Sequence, residues 1–263
     1  MLNFGEYLSE LKLTLQYHDE LNPKIWELPN ERYMSDPKGQ DEIMVPKVRE
    51  RLLQIAYEFI DFIGVDIIVD DVVMTGSLAN YNWSKYSDID LHILVDFKQF
   101  SEKELPLYEE LFRLKKTLYN DKHNITIFGY DVELYVQDTS EPHTSSGEYS
   151  VLMDEWITKP KKEDVEIDTT LIKTKSEEWM KMIDDVINDA EDEDSLETSK
   201  EIINKFKDKL KKYRTRGLED GGEFSNENLV FKVLRRNGYI QKLFDFQTKH
   251  ADKNLSLKER YIY

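Results

Sequence analysis

The segment 73–97 constrains the fold more than any other part of the chain. It reads VMTGSLANYNWSKYSDIDLHILVDF, with one apolar run that ends in Gly76 and Ser77 and another that follows Asp88 and Asp90. Side chains alternate along a strand, so two carboxylates at this spacing project from one face. Such carboxylates repel each other unless a cation lies between them. The segment therefore predicts two strands joined by a polar turn, with an acidic site where the second strand begins.

The chemistry of this segment favours phosphate and metal binding. Oxygen ligands of this kind suit Mg2+, which proteins bind through one or two carboxylates together with substrate phosphates. Gly76 lets the backbone turn tightly, and the residues after Ser77 are predicted to open a short helix. The N-terminus of a helix offers N–H groups to a phosphate. A phosphate cradle beside metal-binding carboxylates indicates transfer of a nucleotidyl group.

The spacing also resembles a known family signature. Gly-Ser, ten residues and then Asp-Ile-Asp is similar to the signature of the nucleotidyltransferase superfamily, which includes DNA polymerase β and the poly(A) polymerases. The minimal nucleotidyltransferases show the nearest version, and Asn80 and Tyr81 stand where they have Arg and Gly, so the donor nucleotide stays open. The whole chain also resembles nucleotidyltransferase-like proteins of tailed phages. The residues in register with the minimal enzymes are Gly76, Ser77, Ala79, Ser87, Asp88, Ile89 and Asp90.

The resemblance implies a third carboxylate on a later strand, between hydrophobic residues. The segment 125–137, ITIFGYDVELYVQ, reads as a hairpin with its break near Gly129. Glu133, between Val132 and Leu134, is the better match to that context, and Asp131 is the alternative. The third carboxylate would complete the metal shell and take the proton from an attacking hydroxyl.

The resemblance further implies an activity and its substrates. A pair of Mg2+ ions, with Mn2+ as a substitute, would be held by Asp88, Asp90 and Glu133. A nucleoside triphosphate such as ATP would bind with its phosphates near Gly76, Ser77, Lys85 and Ser87, although Lys85 could equally point to solvent. The nucleoside monophosphate would pass to a hydroxyl of a protein, an RNA or tRNA end, a nucleotide or a small molecule, with release of pyrophosphate. The alternative is a non-catalytic nucleotide-sensing or protein-binding module on the same fold.

Composition limits the surroundings in which the chain works. It has 263 residues and no cysteine, so disulfides and thiolate metal sites are excluded. Its start has no signal-peptide pattern and no apolar run approaches about 20 residues, so we expect no membrane partner and a cytoplasmic location, in a host cell if a phage encodes the protein. A net charge of −17 repels nucleic acid, so duplex DNA is not an expected partner and any RNA substrate needs a local basic patch.

The order of the predicted elements indicates an α+β fold. A small mixed β-sheet flanked by helices, with an N-terminal helix over 4–17 and a loop, is expected over 1–160. A helical bundle is expected over 161–263. Within the first domain we predict a helix from Pro46 to Gly64 and strands over 67–74 and 89–95. A further helix after Ser101 is predicted to bury a stripe of Leu107, Leu111, Leu114 and Leu118.

A loop and a basic cluster each allow two interpretations. The loop 141–149 is a candidate for substrate contact or a plain connector. A basic cluster in the predicted bundle is either a solvated helix face or a site for a triphosphate or an RNA end. His92 shares the carboxylate face and is expected to be a hydrogen-bond partner there, and Tyr135 is expected to pack. The cluster comprises Lys205, Lys207, Lys209, Lys211, Lys212, Arg214, Arg216, Arg235 and Arg236.

Overall fold

The computed structural model describes residues 18–29, 41–141, 145–162, 167–193 and 195–256. The helix predicted over 4–17 lies outside these ranges. Residues 18–162 and 167–256 belong to two compact units, here called the sheet unit and the helical unit. The predicted boundary between domains at 160 and 161 stays a prediction. Within the described ranges, no helix is both long and apolar enough to cross a membrane.

The sheet unit is built on six strands in the order β5-β6-β4-β3-β7-β8. Strands β4 and β6 are parallel and every other neighbouring pair in this sheet is antiparallel, so the sheet is mixed, as predicted. Two further short strands form a separate antiparallel ribbon. The strands are β1 Trp26–Glu27, β2 Ile43–Met44, β3 Asp71–Thr75, β4 Ile89–Val95, β5 Thr126–Ile127, β6 Tyr130–Asp138, β7 Glu148–Ser150 and β8 Glu155–Thr158.

Strand β4 is the centre of this sheet and has the two faces that its sequence predicts. The face made by Ile89, Leu91, Ile93 and Val95 is fully buried in the core. The opposite face begins with the carboxylates, because the side chains alternate. The neighbouring strand β3 starts at Asp71, later than the predicted 67.

The late start of β3 has a local cause. Ile68 forms its hydrogen bonds with the side chain of Gln99, whose Oε1 accepts from the N–H of Ile68 and whose Nε2 donates to its carbonyl. An amide side chain therefore takes the place of a neighbouring strand at Ile68, and the backbone hydrogen bonds to β4 begin with the N–H of Asp70, which donates to the carbonyl of Leu94.

Helix α1, Pro46–Ile63, follows its prediction closely. Proline stands in its first turn, where the missing N–H costs nothing. Gly64 ends it in the left-handed conformation, with φ of 77°. Its buried face contains the predicted Val48, Leu52, Ile55 and Phe59, whereas Phe62 is only partly buried.

Helix α2, Leu105–Lys122, forms where predicted but buries a different face. Leu107 is 70% exposed and Leu114 is 52% exposed, so the predicted leucine stripe is wrong. Phe112 and Tyr119 are buried instead. Aromatic rings carry more apolar area than leucine and pack here against the rings of α1 and of the turn after β4, which decides the orientation of the helix.

The helical unit is a bundle of four helices, which confirms the predicted helical part. Asp168, Ser195 and Ser225 each accept a backbone N–H at the start of a helix. The helices enclose a core of their own, to which Trp179, Phe206 and Val230 contribute. The helices are α3 Thr169–Glu191, α4 Leu196–Gly221, α5 Asn226–Arg236 and α6 Tyr239–Leu255.

Candidate active site

Three carboxylates meet on the polar face of the sheet. Asp88 immediately precedes β4, Asp90 lies within it, and Glu133 lies on β6. Because β4 and β6 are parallel neighbours, Asp90 and Glu133 stand directly opposite each other in the register. One ligand oxygen from each of the three carboxylates lies within 4.8 Å of the others. All three side chains are partly buried, so their charges repel more strongly than they would in bulk water.

The structure distinguishes between the two candidates for the third carboxylate. Asp131 is exposed and is paired with Thr126 on β5. Only Glu133 joins Asp88 and Asp90, and theirs is the one group of three or more potential metal ligands within the described ranges. Three oxygen donors this close suit a hard divalent cation such as Mg2+ or Mn2+.

Gly76 makes room for this arrangement. It follows the last residue of β3, which pairs with Asp90. Its φ of 82° and ψ of −164° belong to a region that is essentially restricted to glycine. A Cβ atom at this position would lie 2.1 Å from Oδ2 of Asp90. The Gly-Ser turn and the second carboxylate are therefore sterically coupled.

The other predicted phosphate contacts are arranged around the same turn. The predicted short helix is a single 3-10 turn, Ser77–Ala79. Ser77 donates a hydrogen bond to Oγ of Ser87 at 2.7 Å, and Ser87 also accepts from the N–H of Ser84 at 2.9 Å. Ser87 is buried, so it holds the turn that leads into Asp88. Lys85 is exposed, with Nζ 4.6 Å from the centroid of the Tyr86 ring.

The loop that was predicted as a substrate contact or a connector packs against this turn. Oγ of Ser145 accepts the N–H of Gly76 at 3.3 Å, and Asn80 donates to Ser146. A Cβ at Gly147 would lie 1.9 Å from the carbonyl oxygen of Ala79. Residues 145–147 therefore brace the Gly-Ser turn, which neither interpretation of the loop had included.

Tyr135 contributes a hydrogen bond that the sequence analysis missed. Its hydroxyl donates to Oε2 of Glu133 at 2.5 Å. Burial and the neighbouring carboxylates raise the pKa of Tyr135 above its usual range, so the phenol remains a donor at neutral pH. The ring stacks on His92, with centroids 4.8 Å apart. Nδ1 of His92 lies 2.6 Å from Oε1 of Gln137, an amide oxygen, so the expected hydrogen bond of His92 to the carboxylate site stays a prediction.

Lys116 brings a positive charge to the carboxylates, and the sequence analysis missed it as well. Asn120 on α2 uses its side-chain amide to pair with both the N–H and the carbonyl of Leu134. This pairing fixes the helix beside the part of β6 that lies beyond its pairing with β5. One turn earlier, Nζ of Lys116 lies 3.6 Å from the centroid of the Tyr135 ring. Burial lowers the pKa of Lys116, and attraction to Glu133 and Asp90 opposes that shift.

No local sequence signal marks Lys116. It lies in a lysine pair, Lys115-Lys116, on a helix whose buried face was assigned to leucines. A correct choice of the aromatic face would have placed residue 116 at the edge of that face. Its distance from Glu133 depends on how the helix docks, which is a property of the folded chain.

Comparison with known families agrees with this geometry. The family model described as a nucleotidyltransferase domain matches residues 54–215, which is more than half of the chain. The match includes the Gly-Ser turn and all three carboxylates. Searches of curated proteins and of solved structures found no match.

Proposed function

The chain belongs to the nucleotidyltransferase domain family, and from that premise we propose that it is a Mg2+-dependent enzyme that transfers a nucleoside monophosphate from a nucleoside triphosphate to an acceptor hydroxyl. The observation that carries the proposal is the convergence of Asp88, Asp90 and Glu133 on one point. Three partly buried like charges destabilise a fold when no cation lies between them. Their presence at one point therefore favours a functional metal site.

The donor set fits divalent metal ions. The three residues offer only oxygen ligands. The absence of a side chain at Gly76 leaves room for Oδ2 of Asp90 beside the turn. When bound, Mg2+ ions would neutralise triphosphate charge and lower the pKa of the attacking hydroxyl. Mn2+ prefers similar ligands and is the expected substitute.

The turn Gly76–Asn80 is the proposed phosphate site. Ser77 and the backbone of the 3-10 turn lie directly after Gly76, beside Asp90. Lys116 adds a cation near Glu133 and Asp90, where it would attract the triphosphate. Lys85 is exposed on the turn before Asp88 and remains a candidate for an outer phosphate.

The proposed reaction exchanges one phosphorus–oxygen bond for another, and a carboxylate of the chain takes the proton of the acceptor hydroxyl. The acceptor oxygen bonds to the α-phosphorus while the bond from that phosphorus to the bridging oxygen breaks, and pyrophosphate leaves with the electron pair. Glu133 is the proposed acceptor of the hydroxyl proton. Tyr135 donates to Oε2 of Glu133, so it orients this carboxylate.

The test is a transfer assay with each α-labelled nucleoside triphosphate and Mg2+, with total RNA, with cell lysate and with neither. The wild type is compared with an Asp88→Asn, Asp90→Asn variant and with Asp131→Asn, which removes an exposed acid outside the cluster. We expect label in protein, RNA or a small product from the wild type and from Asp131→Asn, and none from the double variant.

A measurement of triphosphate binding distinguishes the proposed enzyme from a non-catalytic module. If the wild type binds a triphosphate in a metal-dependent manner but never consumes it, the proposed transfer is wrong and a nucleotide sensor takes its place. If it neither binds nor consumes any triphosphate, a protein-binding module on this fold becomes the better explanation.

A further inference from the structure

One stretch of α4 concentrates positive charge in an acidic chain. Residues 205–216 contain a single acid, Asp208, whereas the whole chain has a net charge of −17. Such a contrast marks a local surface for an anionic partner, because the average field of the protein repels one. The cations of the stretch are Lys205, Lys207, Lys209, Lys211, Lys212, Arg214 and Arg216.

Packing within the helical unit accounts for part of this cluster. Lys207 donates to Gln247 and its Nζ lies 3.8 Å from the centroid of the Phe244 ring. Arg214 donates to Asn228 and stacks on Phe231. Lys205 forms an ion pair with Glu201 on the same helix. The contacts of Lys207 and Arg214 are structural and do not require a ligand, whereas the exposed ion pair of Lys205 contributes little and leaves this lysine accessible to a ligand.

The remaining four cations are not held by ion pairs within the described ranges, although Lys209 has packing contacts of its own. Lys209, Lys211, Lys212 and Arg216 are exposed, and no carboxylate in the part of the chain that the structure describes forms an ion pair with them. Lys209 contacts the sulfur of Met182 and lies 5.4 Å from the centroid of the Trp179 ring. A helix face that served only to solvate the chain would more commonly pair its charges at i and i+4.

Three of these side chains, Lys209, Lys212 and Arg216, line a groove within the helical unit. Its volume is ≈ 930 Å3, in the range of sites that take small molecules or short polymer segments. Lys205, Lys209, Lys212 and Arg216 follow one another at intervals of four, three and four residues, so they form a single stripe along α4. Tyr213, which is partly exposed, adds aromatic surface beside the stripe and packs on Trp179, which is buried in the core of the unit.

The length of the stripe of positive side chains indicates which kind of anion it suits. The stripe from Lys205 to Arg216 is about 16 Å long at the helical rise per residue, which suits a chain of phosphates better than a single triphosphate. Asp208 lines the groove between Lys205 and Lys209, and Asp220 and Glu227 line it beyond Arg216, so the favourable field is weakened at Asp208 and ends beyond Arg216. The bases of a single strand can stack on an aromatic side chain, whereas the bases of a duplex are stacked on one another and are not accessible to it.

We propose that this groove binds the phosphodiester backbone of single-stranded nucleic acid, with a base against Tyr213. Binding at the groove does not depend on catalysis. The role of that nucleic acid as the acceptor of the nucleotidyl group does rest on the proposed function, and it would identify the acceptor class as a nucleic-acid hydroxyl.

The test measures binding of the full-length protein to a labelled oligo(U) and a labelled oligo(A) of about 15 nucleotides, within the site sizes of single-strand-binding grooves. Fluorescence anisotropy is recorded without divalent metal and without triphosphate. The Lys212→Glu, Arg216→Glu variant is compared with Lys181→Glu, Lys200→Glu. The control pair is exposed, changes the net charge equally and lies away from the groove, and Lys200 is on the opposite side of α4.

We expect Lys212→Glu, Arg216→Glu to weaken binding at least about tenfold, and the control pair to change it less than threefold. The slope of log affinity against log salt should fall by about 1.4 in magnitude, since each lost phosphate contact on a single strand contributes about 0.7. Equal weakening by both pairs would overturn the proposal, because it would show a general effect of net charge. Equal competition by polyphosphate or by polyglutamate of the same charge would also overturn it.

The Asp88→Asn, Asp90→Asn variant separates this inference from the proposed function. It should bind the oligonucleotides as the wild type does while losing transfer. Conversely, oligonucleotide binding that requires the two aspartates would place the nucleic acid at the carboxylates and contradict the assignment to the groove.

Discussion

Gly76 and Asp90 are so close that a Cβ atom on residue 76 would lie 2.1 Å from Oδ2 of Asp90. The two residues come from consecutive strands, and the same pair of strands supplies the Gly-Ser turn and two of the three carboxylates. Any side chain at residue 76 would displace Asp90, which is a proposed metal ligand.

Gly76→Ala should therefore lose both stability and metal affinity. The alanine would occupy a backbone region that costs about 1–3 kcal/mol, and its methyl group would push Asp90 out of the cluster. Urea unfolding and Mn2+ binding measure the two effects. Gly129→Ala is the matched control, because Gly129 also has positive φ, 88°, but no atom within 4 Å of its Cβ position. That control should lose stability alone, and a loss of Mn2+ affinity there would contradict the steric explanation.

Glu133→Gln should abolish stabilisation by metal. A ligand that binds only the folded state raises the free energy of unfolding by about 2.7 kcal/mol at 100 times its dissociation constant. Thermal unfolding with Mg2+ and with EDTA should show this difference in the wild type and in Asp131→Asn. A metal-dependent shift that survives Glu133→Gln but disappears in Asp131→Asn would make Asp131 the third ligand.

Tyr135→Phe should weaken the metal site without unfolding it. The change removes the hydrogen bond to Oε2 of Glu133, and loss of such an orienting partner costs about 10–100-fold in metal affinity or activity. We expect kcat to fall at saturating triphosphate and the Mn2+ dissociation constant to rise. Tyr57→Phe, on an exposed ring of α1, is the control. A change in KM alone would point to substrate contact by the ring instead.

Lys116→Met should change metal and triphosphate binding in opposite directions. Removing a cation attracted to Glu133 and Asp90 should tighten Mn2+ binding in the absence of nucleotide. It should weaken triphosphate binding, because a charge partner of the phosphates is lost. Calorimetry with each ligand tests this, with Lys122→Met on the exposed end of α2 as the control. Parallel changes in both affinities would show that the effect of Lys116 is only structural.

The stability of the sheet unit should decline above about pH 10, the usual pKa of tyrosine. Burial raises the pKa of Tyr149, so its phenol keeps its proton when folded and loses it near pH 10 when unfolded. The folded state then binds more protons than the unfolded state, and stability falls as pH rises. Urea unfolding at pH 8 and pH 10.5 should show a smaller decline in Tyr149→Phe than in the wild type or Tyr57→Phe.

The parts of the site that follow a local period were predictable. Alternation along β4 placed Asp88 and Asp90 on one face, and the family resemblance favoured Glu133 over Asp131 as their third partner. In the sheet unit Asp90 and Glu133 are register partners, and the three carboxylates lie together. These predictions required only the repeat of a strand and the resemblance of one motif.

The parts that depend on docking between distant segments were not predictable. The orientation of α2 was wrong because leucine spacing and aromatic spacing on that helix are both helical, and only the rings of Phe59, Phe62 and Phe97 decide between them. The position of Lys116 follows from that orientation and from the pairing of Asn120 with Leu134. The support of Gly76 by Ser145 likewise joins residues 69 positions apart.

The parallel pairing of Asp90 with Glu133 has a consequence for how the chain acquires its metal site. A β3–β4 hairpin formed early would contain Asp88 and Asp90 but lack the third oxygen donor, since β6 reaches its place only after α2 has crossed over the sheet. Non-local pairings of this kind form late, because the intervening loop must close first. Tight metal binding should consequently appear only once β6 has paired with β4, which would make a bound Mn2+ ion a reporter of that pairing during refolding.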